Sequence, residues 1–311
     1  MDIDILLALQ NIRTPFLDAF FTVFRYLGES AVPVAVFAVT WWFGYKKQSF
    51  IIFLAFYFSV ISNFILKVIC CIPRPFVRDS RIIPVSSALK TATGYSFPST
   101  HTAVAVAYLS PFGIRYRKKI YVPIIVAVVC CLIGFSRMYM GVHTPQDILV
   151  SLVLGFLSVL LTYKVIEWLY ERDDAEIILA IGAFAGFVLM LLINIFRTFP
   201  DIYYDGQIIE IGREMQRDLM TMGGALLGFS LGFICDHFFV HHEGADSKVF
   251  NIVISVVGLA LVLVIKKLTQ PFFEGIGYVY GHAILQTILV FFIVALWPLA
   301  CKYLQRKFLR Y

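Results

Sequence analysis

Runs of 15 to 24 apolar residues, nearly free of charge, follow one another from residue 31 to residue 301. A helix needs about 20 such residues to cross the hydrocarbon core of a bilayer. Inside that core every backbone N–H and C=O must find a partner, which leaves only helices and closed barrels. Continuous runs without a period of two select helices. Candidate spans fall near 31–45, 49–72, 99–114, 120–136, 148–168, 176–196, 219–240, 249–265 and 278–301. Charged residues make up 15% of the chain, against roughly a quarter in soluble domains, and that excludes a water-soluble class. The expected fold class is all-α, a polytopic membrane helical bundle of about nine spans.

Charged or turn-rich links separate the runs: "YKKQ", "RYRKK", "YERDDAE", "HHEGADSK" and "KKLTQPFFEG". The acidic "ERDDAE" divides a five-span region, 31–170, from a four-span C-terminal region, 171–311. Residues 1–30 carry Asp2 and Asp4 at the start and are interrupted by Arg13, Asp18 and Arg25, which argues against a cleavable signal. "IRTPFLDAFFTVFRYLG" reads as one or two interfacial amphipathic helices broken near Pro15, with a first true span as the alternative. Lys and Arg are densest in the short links if "RYRKK" and the tail "KYLQRKFLRY" are cytoplasmic. Links 73–98 and 137–147 then face outward, and a bacterial cell membrane is the expected location. The net charge of +6 therefore speaks of orientation, and no nucleic-acid partner is expected. The six cysteines show neither metal-site spacing nor a disulfide framework and read as small buried hydrophobes.

Against this background the polar residues at span ends stand out, because charge there is costly. "KVICCIPRP" puts Lys67 near the outward end of one span and Arg74 just beyond it. "GYSFPSTHTAVAVAY" opens another, with Ser99 and the Thr100 amide at a helix start that attracts anions and His101 one step inside. In "SRMYMGVHTPQD", Arg137 ends a span, Thr144 and Pro145 read as N-cap and first helical residue, and Asp147 can fold back onto His143. Taken singly, Arg137 could be a snorkelling anchor and Ser99 and Thr144 plain caps. Together, three segments bring three cations, a hydroxyl and two histidines to one face, a set that fits a tetrahedral oxyanion such as phosphate.

The three blocks "KVICCIPRP", "PSTH" and "SRMYMGVHTPQD" resemble the pattern of the type 2 phosphatidic acid phosphatase family: K-x6-RP, PSGH, then SR-x5-H-x3-D. Thr100 stands where that family usually has Gly. The resemblance covers roughly residues 50–165 and implies His143 as nucleophile, Asp147 as its orienting acid and His101 as general acid. It further implies that Lys67, Arg74, Ser99, Thr100 and Arg137 bind phosphate, with no metal or cofactor. The implied activity is hydrolysis of a lipid phosphate monoester or pyrophosphate through a phosphohistidine, with membrane lipids and a phosphorylated lipid as partners. The alternatives are a glucose-6-phosphatase-like sugar-phosphate enzyme, a lipid phosphotransferase, and a lipid-phosphate transporter without turnover.

Two other features lie outside these blocks. "DHFFVHH" places His237 and His241 four apart, a weak metal pattern against polar span-end residues. Gly224, Gly228 and Gly232 share one helical face, suited to close packing within the chain or between copies of it. A homo-oligomeric contact through the C-terminal spans is thus left open.

Overall fold

The computed structural model describes residues 2–89, 92, 94–172, 174–204, 207–210 and 212–308. The helices are α1 (Asp2–Asn11), α2 (Pro15–Leu27), α3 (Ala31–Trp42), α4 (Lys46–Cys70), the short α5 (Pro75–Arg78) and α6 (Ser86–Leu89), and α7 (Thr100–Arg115). They continue with α8 (Tyr121–Tyr139), α9 (Pro145–Tyr170), α10 (Ala175–Phe196), α11 (Gly212–Cys235), α12 (Lys248–Ile276), α13 (Tyr278–Phe291) and α14 (Trp297–Phe308). A small antiparallel hairpin, β1 (Ile202–Tyr204) with β2 (Gln207–Glu210), sits in the long link after α10 and is the departure from an all-helical chain. Among the described residues, seven helices are long and apolar enough to cross a membrane, or eight if α2 and α3 form one bent span. The expected spans at 31–45 and 99–114 are helices of 12 and 16 residues. At 1.5 Å per residue these rise about 18 and about 24 Å, short of the ~30 Å core.

The chain forms two compact units. The first comprises Met1–Val34, Phe50–Val165 and Pro200–Ile211; the second comprises Ala35–Ser49, Ile166–Phe199 and Gly212–Tyr311.

In the first unit, α2 is tied to the end of α8. Phe21 packs on the Tyr139 ring at 4.4 Å, and the Tyr139 hydroxyl donates to Asp18 Oδ1 at 2.7 Å. Arg13 Nε and Nη2 donate to the Tyr139 carbonyl at 3.0 and 2.7 Å. Pro15 at the first position and the Thr14 side chain accepting from Leu17 N start α2 where the break near Pro15 was expected. Deeper in, Ala55, Ala107 and Val159 are fully buried together, small residues that let helices approach closely.

In the second unit the glycine face of α11 is covered by the chain itself. A Cβ added at Gly224 would lie 2.1 Å from the Ala283 carbonyl oxygen, and one at Gly228 2.4 Å from that of Thr287. The π-helical turn Phe292–Leu296 leaves carbonyls for Trp41 and Trp42, whose indoles donate to Val294 O and Ile293 O at 3.0 and 2.8 Å. In "DHFFVHH", His242 Nε2 donates to the Trp41 and Trp42 carbonyls, both at 3.2 Å, and His237 Nδ1 meets Glu176 at 3.1 Å. Lys46 bridges Glu176 and Asp236, so this cluster ties helix ends together. Of the cysteines, Cys130 and Cys301 are buried as expected, but Cys70 and Cys131 are exposed on helix faces.

Candidate active site

The spacing in "SRMYMGVHTPQD" has a local cause. Helix α8 ends in a Schellman motif: Val142 N bonds Arg137 O at 3.2 Å and Gly141 N bonds Met138 O at 2.9 Å. Gly141 has φ +75, a left-handed conformation that suits glycine. Two residues later α9 starts with a capping box, in which Asp147 Oδ2 accepts from Thr144 N at 2.9 Å and Thr144 Oγ1 accepts from Asp147 N at 3.4 Å. His143 is pinned between a helix stop and a helix start, and its exposure is 1%.

The hydrogen bonds define its tautomer. Arg74 Nη1 lies 2.8 Å from His143 Nε2, and a guanidinium can only donate, so Nε2 is the acceptor. Nδ1 therefore carries the proton and donates to Asp147 Oδ2 at 3.2 Å. That leaves the Nε2 lone pair as the reactive one, with the carboxylate behind the ring. Burial first, and next the Arg74 guanidinium, hold the His143 pKa well below the ordinary imidazole value of 6.5. The ring is neutral at neutral pH.

The remaining predicted residues come to the same place from other elements. Arg74 caps the short α5, with Pro75 as its first residue, and also donates to Gly94 O at 2.9 Å and Val142 O at 3.1 Å. Lys67, in the last turn of α4, donates to the Tyr95 and Ser96 carbonyls. Ser99 is the N-cap of α7 but its hydroxyl makes no capping bond; it accepts from Thr102 Oγ1 at 3.0 Å. Its backbone N–H donates to Asp147 O at 3.3 Å, joining the "PSTH" and "HTPQD" segments. The first N–H groups of α7, Thr100 included, have no intrahelical acceptor. Thr100 turns its hydroxyl away to Asn63 Oδ1 at 2.9 Å, so the side chain that departs from the family pattern is occupied elsewhere.

Two groups are conspicuous for what they lack. Arg137 is 0% exposed, and among the described residues all three of its guanidinium nitrogens are buried without a hydrogen-bond partner. His101 Nε2 is likewise buried and unpartnered. A buried cation left unpaired costs several kcal/mol, so the protein here holds donors ready for an anion.

Ser96 was not among the expected site residues. Its hydroxyl donates to Asp147 Oδ2 at 2.6 Å, alongside His143 and the Thr144 amide. A lone serine three residues before another carries no motif, and only the folded loop brings it to the carboxylate.

Residues 48–171 match the model of the PAP2 superfamily. The chain is also 31% identical over 160 residues to phosphatidylglycerophosphatase B of Bacillus subtilis (strain 168), covering 47% of this chain and 73% of that protein. The chain belongs to the PAP2 superfamily. It is an integral membrane phosphatase of that group. Similarity extends to sphingosine-1-phosphate phosphatase 2 of Homo sapiens, 26% identical over 57% of this chain and 46% of that protein. Undecaprenyl-diphosphatase BcrC of Bacillus subtilis (strain 168) is 33% identical over 32% of this chain and 50% of that protein. The chain thus spans about half the length of these last two relatives. The PAP2 match holds every predicted site residue but leaves out α1, α2, α3 and everything after Glu171.

Proposed function

We propose that this PAP2 phosphatase hydrolyses a lipid phosphate monoester or pyrophosphate at the extracytoplasmic face through a phosphohistidine on His143. The observation that carries the reading is the buried guanidinium of Arg137, without a hydrogen-bond partner among the described residues, together with a histidine whose Nε2 lone pair is held by Arg74 and whose ring is oriented by Asp147. The relatives act, by their names, on phosphatidylglycerophosphate, sphingosine 1-phosphate and undecaprenyl diphosphate, which share an anionic phosphoryl group on a lipid.

The chemistry follows from the geometry. The phosphoryl group enters between Arg74 and Arg137, taking the Arg74 Nη1 hydrogens that rest on Nε2. His143 Nε2 attacks phosphorus, and Asp147 steadies the imidazolium that forms, as the acid of a serine-hydrolase triad does. Fixed donors on Lys67, Arg74, Arg137, Ser99 and the Thr100 amide hold the three equatorial oxygens as charge redistributes. His101, protonated, gives its Nε2 proton to the leaving oxygen, then takes one from the water that opens the phosphohistidine. The donors needed for the phosphoryl charge all come from the chain, and a metal has no assigned part.

The test is phosphate release by purified protein in EDTA from phosphatidate, phosphatidylglycerophosphate, sphingoid phosphate, polyprenyl diphosphate and glucose 6-phosphate, with His143→Ala as blank. Alkaline denaturing quench of a lipid labelled in its phosphoryl group should trap a phosphoprotein that is stable to base and lost in acid. Equal turnover by His143→Ala, or preference for the sugar ester, would overturn the reading. Labelling of a cysteine placed at Arg81 in intact cells by a membrane-impermeant reagent reports the face.

A further inference from the structure

Helix α4 carries a polar stripe that runs down from the phosphoryl site. Ser59, Asn63 and Lys67 are four residues apart, so they share one face, and all three are buried. Lys67 stands in the last turn. At 1.5 Å per residue, Asn63 lies about 6 Å and Ser59 about 12 Å nearer the bilayer centre. The Thr100 hydroxyl donates to Asn63 Oδ1 at 2.9 Å, which brings this carboxamide to the first residue of α7, where Ser99 and the Thr100 amide are proposed to hold phosphate.

Among the described residues, Asn63 Nδ2 and Ser59 Oγ are buried without a hydrogen-bond partner. A serine in a buried helix can turn its hydroxyl to the carbonyl four residues back. Ser49, Ser151 and Ser158 do so, at 3.1, 2.5 and 2.8 Å, and Ser59 does not. A buried donor left unmet costs more than a hydrogen bond contributes, and the hydrocarbon core supplies no water to meet it. A lipid held by its phosphate must run its chains on toward the bilayer centre, so its backbone falls at the depth of Asn63. Glycerolipids and sphingoid lipids carry acceptor oxygens there, as esters or hydroxyls. A polyprenyl chain offers only C–H.

We infer that Asn63 and Ser59 form a subsite for the oxygen-bearing backbone of the lipid, which favours phosphate esters of glycerolipids or sphingoid lipids over those of polyprenols. This rests on the phosphatase reading of the site and narrows its substrate class. Asn63 presents its N–H groups because Thr100 holds the other end of the carboxamide. A chain without oxygens leaves both donors buried and unmet, which is how a hydrogen-bonding site rejects an analogue lacking the group.

The experiment measures kcat/KM of the full-length protein in detergent micelles on three monoesters of equal charge: dioctanoyl phosphatidate, sphingosine 1-phosphate and farnesyl phosphate. Asn63→Ala should cost about tenfold on phosphatidate or on the sphingoid phosphate, the worth of one neutral hydrogen bond, and leave farnesyl phosphate within about threefold. The ester that loses more names the backbone. Ser59→Ala removes a single oxygen, so it decides the matter should Asn63→Ala not fold; it should move the same ratio the same way by about threefold. Equal losses on all three esters, or an unchanged ratio in either folded variant, overturn the inference. If His143→Ala turns over the esters as well as wild type does, the site assignment itself has failed, a result separate from any shift in the ratio.

Discussion

Arg74 Nη1 and His143 Nε2 stand 2.8 Å apart, donor against lone pair. On the proposed mechanism this arginine nitrogen holds the attacking lone pair and must pass to a phosphoryl oxygen when substrate enters. On the proposed mechanism, His143 thus waits unprotonated behind Arg74.

Arg74→Lys tests this exchange. Lysine keeps the charge but loses the planar fork that reaches Gly94 O, Val142 O and His143 together. Loss of one such donor costs about 10²- to 10³-fold in kcat. A kcat within tenfold of wild type would show that charge alone suffices.

Arg137→Met should separate stability from function. The guanidinium is buried with no partner among the described residues, so an apolar side chain of similar length removes a penalty. The variant should be about 1–3 kcal/mol more stable without ligand, within the range seen when buried ions are replaced by apolar groups. It should also lose turnover. Vanadate should raise the thermal midpoint of wild type and leave the variant unmoved, as binding to the native state alone requires.

His143 gives a signed pH dependence. Its folded pKa lies well below 6.5, lowered by burial and then by Arg74, so the unfolded chain binds the proton first as pH falls. The stability contributed by the neutral ring is complete above about 6.5 and is lost as pH drops toward the folded value. Denaturation midpoints between pH 7 and 5 should fall for wild type and flatten in that interval for His143→Gln. The acid limb of kcat/KM should likewise lie below 6.5; a limb above it would refute the neutral ring.

Ser96→Ala removes one of the donors to Asp147 Oδ2 and leaves the His143 and Thr144 bonds in place. Outer partners of this kind cost about 10- to 100-fold in activity by analogy with those behind metal-bound histidines. The loss should fall on kcat with KM nearly unchanged. A raised KM with kcat intact would place Ser96 in substrate binding instead.

The helical membrane fold was legible because backbone satisfaction in lipid leaves so few choices. The catalytic blocks were legible because His143 and Asp147 are set by local motifs, a Schellman stop and a capping box, whose spacing is written in consecutive residues. Lys67, Arg74, Ser99 and Arg137 could be named from the same blocks, yet their contacts depend on loops the sequence does not order. Ser96 was invisible, because it meets Asp147 from a different segment. The short α7 was counted as a span from its hydrophobicity, although its cap at Ser99 and its end at Arg115 leave 16 residues.

That shortness governs who can reach the site. A helix of 16 residues rises about 24 Å, roughly 6 Å less than the oily slab it sits in. If Arg115 and the basic turn beyond it lie among headgroups on one side, His101 stops beneath the opposite waterline. On that placement a charged headgroup would have to be towed down from the level where it floats, a descent that acyl tails anchored in the slab permit and that a sugar ester arriving from water has nothing to drive.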